Sequence, residues 1–454
     1  MNIILKIFKN IFRSSKKVEK ESLIVAKTQR SQVKVYARSE HNVSRSQISE
    51  NALKVLYRLK KSGYEVYLVG GCVRDLLLGL EPKDFDVATN ASPEEIRKVF
   101  RNCRIIGRRF RLAHVHFGRE IIEVATFRSS ESGNDNEQKV DTEGRLLRDN
   151  VFGSIEDDVW RRDFSVNALY YNIQDFSIVD YVGGMEDHTA GVIKLIGDPA
   201  TRYREDPVRM IRAVRFAVKL GFSLDAATEQ QIFAQAHLLK GIPAARLYDE
   251  VLKLFLSGKG LQTFEMLRHY NLFSILFPQA DQCLNVEEDG FPKLFIIKAL
   301  ENSDSRIAER KSVTPYFLLS AFLWESVQAL AKEKIKQGDE ENFAYQNASS
   351  VVLSKQVKSV SIPKRMTQSM REVWLLQLRF DRRVGVRPYK LLMHPRFRAA
   401  YDFLLLRAET GGAETELAEW WTIFQDANEV EQKKMTRPAR KNKNKAKAAL
   451  KSKK

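Results

Sequence analysis

Cysteine is nearly absent from this chain of 454 residues: Cys72, Cys103 and Cys283 stand far apart, with no CxxC pair. Three such thiols supply neither a disulfide framework nor a zinc site, so a small stapled fold is excluded and a reducing, cytoplasmic setting is expected. Proline (12) and glycine (22) are too sparse for a collagen-like or low-complexity chain. No uninterrupted apolar run approaches the ~18 residues of a spanning helix, which argues against an integral membrane protein. What is present, 44% apolar and 29% charged residues, suits a globular chain with a sizeable core. At ~150 residues per domain, its length points to about three domains.

Acidic residues are also scarce at both ends. The net charge is +18, yet residues 433–454 hold eleven basic residues and no acidic one, and residues 1–38 hold ten basic and two acidic. The long middle is therefore nearly neutral. Two basic tails around a neutral core suit a polyanionic partner, nucleic acid or an anionic membrane surface. The leader MNIILKIFKNIFRSSKK interleaves apolar residues with Lys6, Lys9, Arg13, Lys16 and Lys17, and no small-residue cleavage site follows. A basic amphipathic helix resting on a membrane and a frayed leader both fit it.

Residues 18–48 read as a polar linker. From residue 49 the pattern becomes regular. ENALKVLYRLKKSG reads as an amphipathic helix stopped by Gly63, YEVYLVGG as a strand entering a Gly-Gly turn, and CVRDLLLG as a helix. DFDVAT, AHVHF (113–117) and EIIEVATF (120–127) read as strands, and Ser92-Pro93-Glu94-Glu95 as a helix start. Residues 128–150 suggest a mobile loop, helical periodicity dominates 207–330, and 331–365 are polar and poorly patterned.

Asp84 and Asp86 are spaced i, i+2 in a predicted strand, which points both to one face. Paired carboxylates repel unless a cation lies between them, and hard oxygen ligands with substrate phosphates suit Mg²⁺. An exposed strand edge is the plainer reading of the pair alone. The context is Gly70-Gly71 at a strand-to-helix turn, where backbone N–H groups can approach a phosphate, with Arg74 one turn on. Together these describe a metal pair beside a triphosphate cradle.

These residues carry a resemblance. YLVGGCVRDLLLGLEPKDFDVAT is similar to the head signature of the class II nucleotidyltransferases, within the polymerase-beta superfamily, which include tRNA CCA-adding enzymes and bacterial poly(A) polymerases. RRDFSVNALYY (161–171) and REDPVRMIRAVRFAVKLGF (204–222) resemble its second and third signatures. IIGRRFRL (105–112), LLRDNVFGSIEDDVWRRDF and HPRFRAAYDFLLLRA resemble the poly(A) polymerase branch. The resemblance implies an α+β fold: a polymerase-beta-like head, a small mixed sheet with helices, followed by an all-helical neck, body and tail. The divisions expected are a basic leader and linker (1–48), head (49–190), nucleotide- and RNA-binding neck (191–260), body and RNA-binding region (261–432) and disordered basic tail (433–454).

The implied activity is template-independent transfer of AMP from ATP to RNA 3′ ends, with two Mg²⁺ ions, as RNA tailing that promotes decay. The alternatives are a CCA-adding enzyme and an inactive RNA-binding protein on the same fold. Asp84, Asp86 and Asp163 are the catalytic candidates. Asp84, Asp86 and Glu123 are the metal candidates, so Asp163 and Glu123 compete for the place of third carboxylate. A buried pairing of Glu123 with Arg119 or Arg128 is the plainer reading of that residue. Gly70, Gly71, Arg74, Arg162, Asp206 and Arg209 are the candidates for binding the nucleotide, with Asp206 as N-cap and Arg209 on its face. Arg212 and Arg215 are expected to support the head–neck junction. The implied partners are RNA 3′ ends, ATP and RNA-decay proteins. A monomer in the bacterial cytoplasm is expected, with peripheral inner-membrane contact through the N-terminus as the other reading of the leader.

Overall fold

The structure is a computed structural model that describes residues 33–107, 111–129, 138–140, 146–149, 151–285 and 294–437. The chain forms two compact units, Met1–Leu238 and Leu239–Lys454. The expected leader contact and most of the basic tail lie outside the described residues.

The first unit is built on an eight-stranded sheet. Its strands are β1 (Lys34–Tyr36), β2 (Val66–Val69), β3 (Asp86–Thr89), β4 (Cys103–Ile106), β5 (Leu112–Phe117), β6 (Glu120–Thr126), β9 (Leu169–Asn172) and β10 (Ile178–Asp180). Their order is β1-β10-β9-β2-β3-β6-β5-β4, while β7 (Gln138–Val140) and β8 (Leu146–Asp149) pair separately. Only β3 and β6 run parallel within the large sheet.

Period-two alternation divides the strand residues between two cores. Val66, Leu68, Val87, Ile122 and Val124 pack with α1 (Glu50–Lys61), α2 (Gly71–Leu77) and α3 (Pro93–Val99) through Val55, Leu56, Val73 and Ile96. Val69, Ala88 and Tyr170 face the other way, with Phe127, Ile196 and Val159 of α4 (Ile155–Arg161). Each fully buried Val or Leu contributes about 1.5–3 kcal/mol, so the pattern fixes which face each strand residue takes.

Local capping sets the helix starts. Ser49 Oγ accepts from the Ala52 N–H at 3.1 Å, and Ser92 and Glu95 form a reciprocal capping box ahead of α3. After the sheet come α5 (Gly184–Ala190), the short parallel pair β11 (Val192–Ile193) and β12 (Ser223–Leu224), α6 (Pro199–Glu205), α7 (Val208–Leu220) and α8 (Ala226–Gln235).

Three expectations need correction. The linker reading of 18–48 misses β1, an edge strand that pairs with β10, and the buried side chains of Val43 and Ile48. The loop reading of 128–150 misses β7 and β8. The poorly patterned 331–365 is largely helical.

The second unit consists of α9 (Ala244–Phe255), α10 (Gly260–His269), α11 (Leu272–Leu276), α12 (Pro278–Leu284), α13 (Phe295–Ala308), α14 (Pro315–Lys336), α15 (Glu341–Ser359), α16 (Lys364–Gln377), α17 (Arg387–Leu392), α18 (Phe397–Glu409), α19 (Thr415–Asp426) and α20 (Glu429–Met435). Helix α15 turns Ala344, Ala348, Ser349, Val352 and Gln356 inward. A buried stripe of small and polar residues hardly registers as hydropathy, which explains the misreading. Phe322 anchors one core, edge-on to Phe255 at 4.9 Å and to Phe277 at 5.1 Å between ring centres. Trp421, Phe380 and Phe397 anchor another. Among the described residues no helix is long and apolar enough to cross a membrane.

Candidate active site

Strand register builds the site. Across five adjacent strand pairs the partners run Tyr170–Val69–Asp86–Glu123–His114–Arg104. Directly opposed residues point to the same face, so this is one row of side chains across the sheet. Asp86 is the first residue of β3, and Asp84 precedes the strand, so the two do not share a strand as expected. They are neighbours nonetheless. Burial, then the charge of Glu123, pushes the Asp86 carboxyl up to about 6; Asp84 adds to the rise and Arg162 opposes it. Glu123 and Asp84 thus both act on Asp86 with like charge, a repulsion that a divalent cation would relieve.

The set is not closed. No group of three or more His, Cys, Asp or Glu side chains is gathered as a ready metal cage among the described residues. Glu123 lies at ion-pair distance from His114, with Nε2 3.3 Å from Oε1, rather than pairing with Arg119 or Arg128.

Asp163, the rival third carboxylate, is engaged elsewhere. One oxygen accepts from the Phe164 N–H at 2.8 Å and from Asn167 Nδ2 at 3.2 Å. The other accepts from Arg212 Nε at 2.8 Å and from its Nη2. Burial alone would raise the Asp163 carboxyl; Arg212, Asn167 and the Phe164 N–H overcome it and hold the group well below its usual range. Arg212 therefore acts as a buttress, here through Asp163.

Gly70 ends β2 at φ +80°, a conformation that side chains rarely adopt, and this suits the turn before α2. A Cβ built on it would lie 3.5 Å from Nη1 of Arg162. Arg162 is held in place from behind: Nε donates to the Tyr170 hydroxyl at 2.7 Å, and Nη2 to Asp158 Oδ2 at 2.9 Å. Tyr170 in turn donates to Asp158 at 2.6 Å. The guanidinium thus lies beside the glycine turn, and its charge also reaches Asp86.

Arg74 does not fulfil its expected part in this conformation. It is buried, with Nε and Nη2 on Asp75 Oδ1 at 2.8 and 2.5 Å and Nη1 on Asn167 at 2.6 Å. Through Asn167 it supports Asp163 from beneath Gly71.

Asp206 and Arg209 also differ from the sequence reading. Asp206 closes α6, Pro207 caps α7, and Asp206 Oδ1 accepts from the Val208 N–H at 3.3 Å. Arg209 Nη1 donates to Glu205 at 3.1 Å and to the Arg202 carbonyl at 2.8 Å, so its i, i+4 carboxylate is Glu205.

The gathering of Arg161 and Arg209 with Arg128 and Arg202 is not visible in the sequence. Burial, then Arg128 and Arg202, pushes Arg161 down to about 10; burial, then Arg209, does the same to Arg202. Mutual repulsion of this kind is relieved by a polyanion. Arg202 and Arg209 share Glu205 through i, i+3 and i, i+4 spacing, but no spacing in the sequence brings Arg128 and Arg161 beside them.

Three family models match the chain: "Poly A polymerase head domain" over residues 66–194, "Probable RNA and SrmB- binding site of polymerase A" over 221–284 and "Polymerase A arginine-rich C-terminus" over 337–454. The chain is 52% identical over 410 residues to poly(A) polymerase I of Salmonella typhi, covering 88% of each chain. It is 38% identical over 215 residues to the CCA-adding enzyme of Lactobacillus helveticus, covering 47% of this chain and 52% of that one. The crystal structure of the Bacillus stearothermophilus CCA-adding enzyme in complex with CTP is similar with a TM-score of 0.53 and 25% identity, over 82% of this chain and 80% of that one. With one likeness running along most of both chains and the other confined to about half, the chain belongs to the poly(A) polymerase I family of nucleotidyltransferases.

Proposed function

We propose that the chain extends RNA 3′ ends with AMP from ATP by two-metal nucleotidyl transfer, with Asp84, Asp86 and Glu123 as the metal carboxylates. The chain is a polynucleotide adenylyltransferase that binds RNA and nucleotide. The observation that carries the metal reading is the cross-strand row, in which Asp86 and Glu123 are register partners and the carboxyl of Asp86 is raised by burial and then by the charge of Glu123. Hard oxygen donors of like charge suit Mg²⁺. Bound there, Mg²⁺ supplies activation of the 3′ hydroxyl and neutralisation of charge on the phosphates.

The protein's own groups do the rest. Arg162, braced by Asp158 and Tyr170, lies beside Gly70 to hold the triphosphate. The attacking and leaving oxygens must be roughly in line. With the triphosphate on the β2–β9 side, the RNA hydroxyl approaches from the β6 side, where Glu123 lies. The cluster of Arg161, Arg202 and Arg209 adds positive charge on the phosphate side, and Asp206 lies at the junction of α6 and α7 for base contact. Asp163 acts with Arg212 to fix the RRD segment. The basic tail holds RNA without sequence preference. RNA-decay proteins as partners, a monomeric state and membrane contact through the leader belong to the same reading.

The test is extension of a labelled RNA with Mg²⁺ and each nucleoside triphosphate alone. Long ladders with ATP only support the proposal. A need for CTP, with addition of about one to three residues, would replace it by CCA addition, and no product in any lane would replace it by RNA binding alone.

A further inference from the structure

We infer that His114 is the positioning residue of the third carboxylate: it holds one oxygen of Glu123 and leaves the other turned toward Asp86. The inference rests on the reading of Glu123 as a metal carboxylate. In the antiparallel β5–β6 pair, His114 is the direct partner of Glu123, and in the parallel β3–β6 pair Asp86 is its partner on the other flank. Glu123 is thus bracketed by an imidazole and a carboxylate on one face.

His114 Nε2 lies 3.3 Å from Glu123 Oε1; the His114 side chain is 17% exposed and that of Glu123 50%. A glutamate that open to solvent samples several rotamers unless it is tied, and ordering it costs side-chain entropy. The better-buried imidazole is the tie. An imidazole offers this oxygen a single nitrogen. An arginine in its place would clamp both oxygens in a fork and leave none for a cation. Ligating carboxylates are held by such outer partners, whose loss weakens metal binding about 10–100-fold.

The experiment uses the full chain and Mn²⁺ as the probe, with binding read by electron paramagnetic resonance beside kcat, KM for ATP and melting temperature. His114→Ala is expected to weaken Mn²⁺ binding and lower kcat at limiting metal by about 10–100-fold, with KM for ATP changed by less than ~2-fold. His114→Gln, whose amide N–H can reach the same oxygen, should recover most of the loss, while the shorter His114→Asn should not. That split by reach, at equal polarity and equal melting temperature, is something a merely structural histidine would not produce. Wild-type Mn²⁺ affinity and kcat in His114→Ala, beside an inactive Glu123→Gln that has lost Mn²⁺, would overturn the inference and leave the Glu123 reading standing. Glu123→Gln that binds Mn²⁺ and transfers AMP normally would overturn that reading, and the inference with it.

Discussion

Replacing Asp86 by Asn is expected to stabilise the metal-free protein while abolishing transfer. The carboxyl is pushed from its ordinary 3.8 to about 6, first by burial and then by Glu123. At about 1.4 kcal/mol per pKa unit, the ceiling of the penalty is ~3 kcal/mol. The carboxyl is crowded by its neighbours, yet the residue as a whole is solvent-accessible at the start of β3, so screening brings the working figure down to ~1 kcal/mol. Because the folded value lies above the unfolded one, the acid contributes stability that is fully present below about pH 4 and is lost as the pH rises through about 6. The Asn variant escapes that loss. For a unit of this size, Met1–Leu238, ~1 kcal/mol is ~2–4 °C of melting temperature. The assay is thermal melting of full-length wild type and variant, in chelator and in Mg²⁺, at about pH 7.5 and again near pH 4. The variant should melt higher in chelator at the upper pH only. Mg²⁺ should then raise the wild type and leave the variant unmoved, because binding to the folded state alone stabilises it. A variant that melts no higher than wild type, or higher by the same amount at both pH values, would refute the argument that crowded carboxylates set this residue's behaviour.

Glu123→Gln should lower transfer by more than ~10³-fold with an unchanged melting temperature, read by primer extension beside calorimetry. Asp163→Asn should lower transfer and the melting temperature together, by ~3 kcal/mol of stability, because it leaves Arg212 facing a neutral group. The low end of the range for broken pairs applies because the Arg212 side chain is 32% exposed. Loss of transfer at full stability would instead make Asp163 a direct substrate contact. Tyr170→Phe should raise KM for ATP about 10-fold with a smaller effect on kcat, since a hydrogen bond to a charged group is worth about 1.5 kcal/mol and more; an unchanged KM would remove Arg162 from the triphosphate. Deleting residues 433–454 should weaken RNA binding and flatten its salt dependence while the preference for ATP over CTP persists, because phosphate contacts release counterions and read no bases. An unchanged salt slope would point the tail at another partner.

Much of the head was readable because its signals are local. Ser92-Pro93-Glu94-Glu95 carries its own capping box, and EIIEVATF carries a period-two pattern that closely matches β6. β1 was hidden because an exposed edge strand of three residues has little hydrophobic signature. Helix α15 was hidden because it buries alanine, serine and glutamine in place of large apolar groups. The site divides in the same way. Gly70, Asp84 and Asp86 stand out because turn and charge rules act over a few residues. The engagement of Asp163 with Arg212, 49 residues away, and the inward turn of Arg74 onto Asn167 depend on tertiary neighbours. The partnership of His114 with Glu123 is intermediate: once AHVHF and EIIEVATF are read as a hairpin about Gly118-Arg119, counting outward from the turn opposes these two residues, although their charge pattern alone does not suggest it.

Register also explains why the carboxylates and the core cannot be varied separately. Ile122 and Val124 flank Glu123 on β6 and are fully buried in the core beneath the sheet, while Glu123 takes the opposite face. A slip of β6 by one residue would bury the carboxylate and expose both aliphatic side chains. The cost of exposing two such residues, roughly 3–6 kcal/mol, is comparable with the whole stability of a small domain. The same holds on β3, where Val87 is buried in that core and Ala88 in the opposite one, next to Asp86. The hydrophobic pattern on either side of each acid therefore does the aiming. The acids need no partner to choose their face; a partner such as His114 is needed only for the finer task of choosing a rotamer on it.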